Sequence, residues 1–236
     1  MKNVLKKTLR IVLYLFTASL LYVIICKWIF PPITLTQINA IIEGHGLKRD
    51  YISWDEIPDN IKLAAIASED QLFMQHNGYD WKALEKSLDD KPAKKKKKNK
   101  RAKGTAASTI SQQTAKNVFL WQGQGVLKYV RKGFEFFYTG CIELVWGKKR
   151  ILEVYLNVIE MGPGIYGVEA AAQAYFNKPA KKLTKAESAQ IIACLPNPKR
   201  FTVKPMSRRV GWRYPQIMRQ MNNMDDYPEV RQLLRD

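Results

Sequence analysis

A mainly α-helical protein behind one membrane-spanning helix is the fold class predicted here, and three observations predict it. Residues 11–26 carry no charge and follow a basic N-terminus. Further on, apolar residues recur at helical spacing, as in Ile151, Leu152, Tyr155 and Leu156. Alternating patterns typical of strands are scarce, and no internal repeat is visible.

Residues 1–10 form a basic tail with Lys2, Lys6, Lys7 and Arg10. Residues 11–30 are expected to be the anchor, about 30 Å long as a helix, which matches a bilayer core. Lys27 sits where it can snorkel, and Tyr14, Tyr22 and Trp28 suit the interfaces. Pro31 and Pro32 are expected to end the helix. The positive flank predicts an N-terminus in the cytoplasm and a main domain on the opposite face of the membrane. No small-x-small cleavage site follows, and Val23, Ile24 and Ile25 are too bulky for lipoprotein processing before Cys26.

Residues 31–54 read as a linker, 55–222 as the main domain and 223–236 as a tail. In the main domain a helix is expected from near Pro58 toward Glu69, and another after Trp81. Lys91–Lys103 holds nine basic residues and no acid, so a self-repelling mobile loop is expected there. Helical patterns resume after Ser108, over 148–158 and over 168–176. Thr184 and Glu187 form a capping box for a helix that ends before Pro196.

The 236 residues leave about two hundred beyond the anchor, enough for a sizeable core. A net charge of +18 points to anionic partners without choosing among lipid, phosphate-bearing substrate and nucleic acid. Three cysteines at unrelated spacings and only two histidines argue against a disulfide framework and a histidine-based metal site.

Four polar clusters carry candidate chemistry. The first, residues 68–80, places Glu69 and Asp70 at the end of an apolar helix with Phe73 and His76 close behind. A partly buried Glu69 would have its pKa raised toward neutrality, which suits a general base or acid; solvated acids at a helix end are the bland alternative. The second, residues 108–117, gathers Ser108, Thr109, Gln112, Gln113, Lys116 and Asn117, groups that can hold sugar hydroxyls and phosphate oxygens or simply form a polar surface helix. The third sets Arg131 and Lys132 beside Glu135, either a pyrophosphate site or a surface ion pair. The fourth runs from Lys148 to Asn157 around an apolar face.

Taken in order, these clusters resemble the motifs of glycosyltransferase family 51, the peptidoglycan glycosyltransferases, and their monofunctional members in particular. Glu-Asp-x-x-Phe-x-x-His-x-Gly-x-Asp is complete from Glu69 to Asp80, and Ser-Thr-Ile-x-Gln-Gln-x-x-Lys-Asn from Ser108 to Asn117. Arg-Lys-x-x-Glu spans Arg131 to Glu135, and Lys-x-x-Ile-Leu-Glu-x-Tyr-Leu-Asn spans Lys148 to Asn157. The stretch Gly162–Ala172 also looks like the family, and the likeness covers roughly residues 50–221. Two departures stand out: Ala106 where the family usually has Gly, and Gln124 near the place of a usual Arg.

The resemblance implies a lysozyme-like helical head with a smaller membrane-proximal jaw lobe, for which residues 119–138 mix aromatic and basic side chains suitably. It implies polymerisation of lipid II onto a growing lipid-linked glycan, with inversion at the donor anomeric carbon and release of polyprenyl pyrophosphate. Glu69 is then the base, and Lys116, Arg131 and Lys132 hold the leaving charge. Glu135 orients those cations, or a divalent cation such as Mg or Mn bridges it to the pyrophosphate. Asp70, Phe73, His76, Ser108, Thr109, Gln112, Gln113, Asn117, Lys148 and Asn157 shape the substrate cleft. The expected partners are lipid II, the lipid-linked glycan, membrane lipid and other cell-wall synthesis proteins, with no nucleic acid and no organic cofactor. No serine is followed three residues later by Lys and no Lys-Thr-Gly occurs, so no transpeptidase activity is expected. Two rivals are a lysozyme-like glycan-cleaving enzyme, which has no use for a pyrophosphate clamp, and a non-catalytic polybasic membrane binder, which leaves the order of the motifs unexplained.

Overall fold

The structure, a computed structural model, describes residues 2–82, 85, 108–122 and 125–235. The lysine-rich stretch 91–103, Ala106, Gln124 and most of the helix expected after Trp81 lie outside these residues.

Helix α1 spans Lys2–Ile25 and is long and apolar enough from Asn3 to cross a membrane. It differs from the expected anchor at both ends, absorbing the basic tail and stopping at Ile25, ahead of the prolines. The stop is a tertiary event. Lys27 and Trp28 donate to the carbonyls of Ile24 and Ile25, which tightens the last turn. The carbonyl of Val23 accepts from Trp146 Nε1 at 2.8 Å. The Cys26 carbonyl accepts from Arg150 Nε and Nη2 at 3.1 and 3.0 Å. Side chains of the main domain thus take carbonyls that a helix terminus leaves unpaired.

The linker is more structured than its composition predicts. It holds α2 (Leu35–Ile42), opened by a Thr34–Gln37 capping box, the short strand β1 (Lys48–Arg49) and a 3-10 turn at Trp54–Glu56. Helix α3 (Asp59–Glu69) begins one residue after Pro58. Every residue from Ile61 to Ala67 is buried, so α3 is the central helix of the fold. Its alanines at 64, 65 and 67 let neighbouring helices approach closely.

Helices α4 (Ile110–Phe119), α5 (Leu127–Val145) and α6 (Gly147–Val158) follow, with Gly147 at φ +76° making the break between the last two. Then come β2 (Glu160–Gly162), β3 (Ile165–Tyr166), α7 (Val168–Phe176), α8 (Lys185–Cys194), α9 (Arg208–Met224) and α10 (Pro228–Arg235). The strands make a small sheet in the order β1-β3-β2, with β1 parallel and β2 antiparallel to β3. Helix α3 packs on α8 and α9, and α4 packs on α5 and α6. The class is therefore mainly α, as expected. The capping box at Thr184 and the bounds of α7 also agree with the sequence reading.

Helix α5 packs beside α1, with Phe137 5.7 Å from Phe16 between ring centroids. The same helix exposes Leu127, Tyr129, Val130, Phe134, Phe137 and Leu144. In the sequence this stretch suited equally a lipid interface and an ordinary core helix; these side chains lie outside the core.

Gly167 opens α7 at φ +83°, and a Cβ there would lie 2.5 Å from the Asn157 carbonyl oxygen. Gly167→Ala should therefore destabilise the protein by about 3 kcal/mol through backbone strain and steric clash together. For a chain of this size a fall in melting temperature of about 6–12 °C is expected, measured by thermal unfolding in detergent.

Candidate active site

The site begins where α3 ends. Glu69 is the last residue of that central helix, so its carboxyl is held at the edge of the core. Burial raises its pKa, opposed by hydrogen bonds from Gln113 and Ser68 and by the positive charge of Arg213, while Asp70 pushes it further up. A helix C-terminus, partially negative, also disfavours a carboxylate. Gln113 Nε2 donates to Glu69 Oε2 at 3.2 Å, and Ser68 Oγ donates to Oε1 at 3.2 Å. The Gln113 amide is itself oriented: its Oε1 accepts from the buried Tyr155 hydroxyl at 3.3 Å, and its Nε2 also reaches the Ser108 carbonyl.

From Gln113 the polar groups run on without a break. Ser108 Oγ accepts from Lys132 Nζ at 3.4 Å, and Lys132 ion-pairs with Glu135 Oε1. Glu135 Oε2 pairs with Arg131 Nη1 at 3.0 Å. The i, i+3 and i, i+4 spacing on α5 puts both cations on the face that carries Glu135. Burial lowers the pKa of Lys116 on α4, and the negative charges of Glu135 and Glu69 counter that, so its ammonium lies within the field of both acids. Arg131 Nε is buried and has no hydrogen-bond partner among the described residues. The cation cluster thus keeps an unused donor, of the kind an anionic ligand satisfies.

Other expected site residues turn inward. Asp70 accepts from His76 Nε2 at 2.9 Å and from the Ile110 backbone N–H at 2.9 Å, so it caps the start of α4. His76 Nδ1 accepts from the Gly78 N–H, which fixes the imidazole with its proton on Nε2 when neutral. Thr109 and Gln112 form the capping box of α4, and Thr109 Oγ1 also donates to the Gly78 carbonyl at 2.7 Å. Asn117 donates to the Gln113 carbonyl. Asp70 and Thr109 thereby fasten the 70–78 loop to the start of α4. Phe73 is fully buried and supports the cleft from beneath, out of reach of a substrate.

The fourth cluster joins the polar chain through Tyr155, while Lys148 and Asn157 stand apart from it. Asn157 is fully buried; its Oδ1 accepts from the Ile52 N–H at 2.9 Å and its Nδ2 donates to the Ile52 carbonyl at 3.0 Å. This pins the linker to α6. Lys148 Nζ donates to the His76 carbonyl at 2.6 Å and to Glu143 Oε1 at 2.7 Å, over the Phe73 ring. Both are tied into the scaffold. Sequence reasoning missed Glu143, which also accepts from Ser111, and Arg213, which donates to Ser68 Oγ at 3.4 Å. Neither falls in a motif, and the contacts of Glu143 with Ser111 and of Arg213 with Ser68 span long stretches of chain.

Both oxygens of Glu135 are taken by cations, and no three His, Cys, Asp or Glu side chains gather into a metal site among the described residues.

The family profile described as Transglycosylase matches residues 35–222. A biosynthetic peptidoglycan transglycosylase of Bacteroides thetaiotaomicron is 42% identical over 237 residues, covering 97% of this chain and 91% of the relative. Proteins of the same description from Escherichia coli and Bdellovibrio bacteriovorus are 50% and 43% identical, over 83% and 90% of this chain and 78% and 84% of their own lengths.

Proposed function

Because the chain belongs to the transglycosylase family, as a peptidoglycan glycosyltransferase of cell-wall synthesis, we propose that the polar chain from Glu69 to Arg131 is its catalytic track. The observation that carries this reading is the continuity of that chain: a desolvated carboxylate stands at one end and a cation cluster with a spare donor at the other. The substrate class is a lipid-linked disaccharide or glycan. Glu69, as carboxylate, takes the proton from the 4-hydroxyl of the acceptor sugar. That oxygen forms its bond to the donor's anomeric carbon from the face opposite the pyrophosphate, and the configuration inverts. The carbon–oxygen bond to the pyrophosphate breaks, and the leaving group departs with the electron pair. Arg131, Lys132 and Lys116 offset the charge that develops there. Glu135 keeps Arg131 and Lys132 aligned.

Helix α1 fits a single-pass membrane anchor. We place the N-terminus in the cytoplasm and the catalytic domain on the opposite face, with the exposed apolar side of α5 against lipid. About 22 Å of α1, from Ile11 to Ile25, is free of charge, and α5 packs beside it.

Detergent-solubilised protein incubated with labelled lipid II should form a polymer that a muramidase reduces to disaccharide units; lack of any polymer from folded protein overturns the reading. Arg131→Ala and Lys132→Ala should each lower turnover about 100-fold, the usual scale for removing one electrostatic stabiliser. Unchanged lipid II turnover in both variants would misplace the clamp.

A further inference from the structure

We infer that Arg213 of α9 is a positioning residue for the general base, acting through the Ser68 hydroxyl to hold the Glu69 carboxylate charged and aimed. The inference rests on Glu69 being that base. Arg213 Nη2 donates to Ser68 Oγ at 3.4 Å, and Ser68 Oγ donates to Glu69 Oε1 at 3.2 Å. A guanidinium cannot lose its proton in the working range, so this relay presents Glu69 with a permanent positive charge. Gln216, one turn further along α9, accepts from Arg213 Nη1 at 3.4 Å and steadies the fork.

The other groups facing Glu69 do not supply what Arg213 does. Asp70 is negative and already tied to His76 and the Ile110 N–H. Tyr155 of α6 and Cys194 of α8 have raised pKa values, chiefly through burial and then through Glu69 itself, so both stay neutral. Lys116 of α4 is the other cation, but burial weakens its hold on a proton and Glu135 is its foremost partner. Arg213 approaches from the side of α9, while the cation cluster lies on α4 and α5. The base therefore has its own counter-charge, separate from the cations assigned to the leaving pyrophosphate. Arg209 stands near Arg213 and repels it mildly, its own guanidinium lying over the Phe201 and Trp212 rings.

Removing the cation disfavours the Glu69 carboxylate, so Glu69 holds its proton to higher pH and the acidic limb of the rate profile moves up. In Arg213→Met the limb of kcat should rise by about one pH unit, with activity regained above it and KM for lipid II little changed. Arg213→Lys, which keeps a charge, should leave the limb near that of the parent protein. Ser68→Ala, a milder change, should shift the limb in the same direction by less, and it tests the relay should Arg213→Met fold poorly. A limb that stays in place in both Arg213→Met and Ser68→Ala, or a loss equal at every pH, overturns the inference. Glu69→Gln separates the two layers. If that variant is inactive while the limb stays put in the others, only the role of Arg213 fails; if it retains activity, the assignment of the base fails.

Discussion

Glu69→Gln is expected to lower glycan polymerisation by about 100- to 10,000-fold while the protein stays folded and still binds lipid II. The amide keeps the size of the side chain and can still pair with Gln113 and Ser68, but it cannot accept the acceptor's proton. The loss should appear in kcat, because nothing in the cation cluster is altered. The environment adds a second expectation. Burial pushes the Glu69 pKa above the ordinary carboxylate range. The working form is the deprotonated one, so activity should fall as pH drops through this raised value, earlier than for a solvated glutamate. Single-turnover rates against pH, with circular dichroism to confirm folding, check both statements. Near-normal polymerisation by folded Glu69→Gln would remove Glu69 from the mechanism.

Lys148→Met should be the most damaging substitution to stability among the charged motif residues. The ammonium is mostly buried and joins the His76 carbonyl, Glu143 and the face of Phe73. Methionine fills similar space but leaves the mostly buried Glu143 with only the Ser111 hydroxyl as a hydrogen-bond partner among the described residues. Breaking one side of such a pair typically costs about 3–5 kcal/mol, mostly from the stranded charge. Loss of the bond to His76 also frees the loop that Asp70 and Thr109 fasten to α4. A melting-temperature fall of about 6–20 °C is expected. Glu143→Gln added to Lys148→Met removes the stranded charge and should recover much of that stability. If activity returns with stability, Lys148 serves the scaffold; if stability returns and activity does not, Lys148 also touches substrate.

Much of this arrangement was legible in the sequence, for identifiable reasons. Glu69 could be picked out because an acid at the end of a run such as Ile61–Ile66 has few structural excuses. The Arg131-Lys132-Glu135 group was visible because helical spacing alone brings those side chains together. Local spacing also revealed the capping box at Thr184. What it could not reveal were partners separated by long stretches of chain. Arg213 meets Ser68 only because α9 folds back across α3, and among several arginines on α9 nothing singles it out. Glu143 lies outside every motif, and the fold alone brings it to Ser111. The roles of Asp70, Thr109 and Gln112 divided for a similar reason: their residue types suit sugar binding, but the first turn of α4 needs capping groups and takes them first. The end of α1 was misjudged because prolines are the obvious stop signal, and the actual one comes from Trp146 and Arg150, over a hundred residues later.

That same junction makes anchor and enzyme one stiff piece. With the Val23 and Cys26 carbonyls gripped by α6 and the residue before it, the end of α1 is tied to the domain at two points. A hydrophobic helix answers a change in bilayer thickness by tilting, at fractions of a kcal/mol per Å. Here a tilt of α1 would be passed to the whole catalytic body as through a lever. It would raise or lower the mouth between Glu69 and Lys132 relative to the headgroups from which a lipid-linked sugar must enter. Lipid composition would then act on the rate through geometry alone, with no lipid touching a reacting atom.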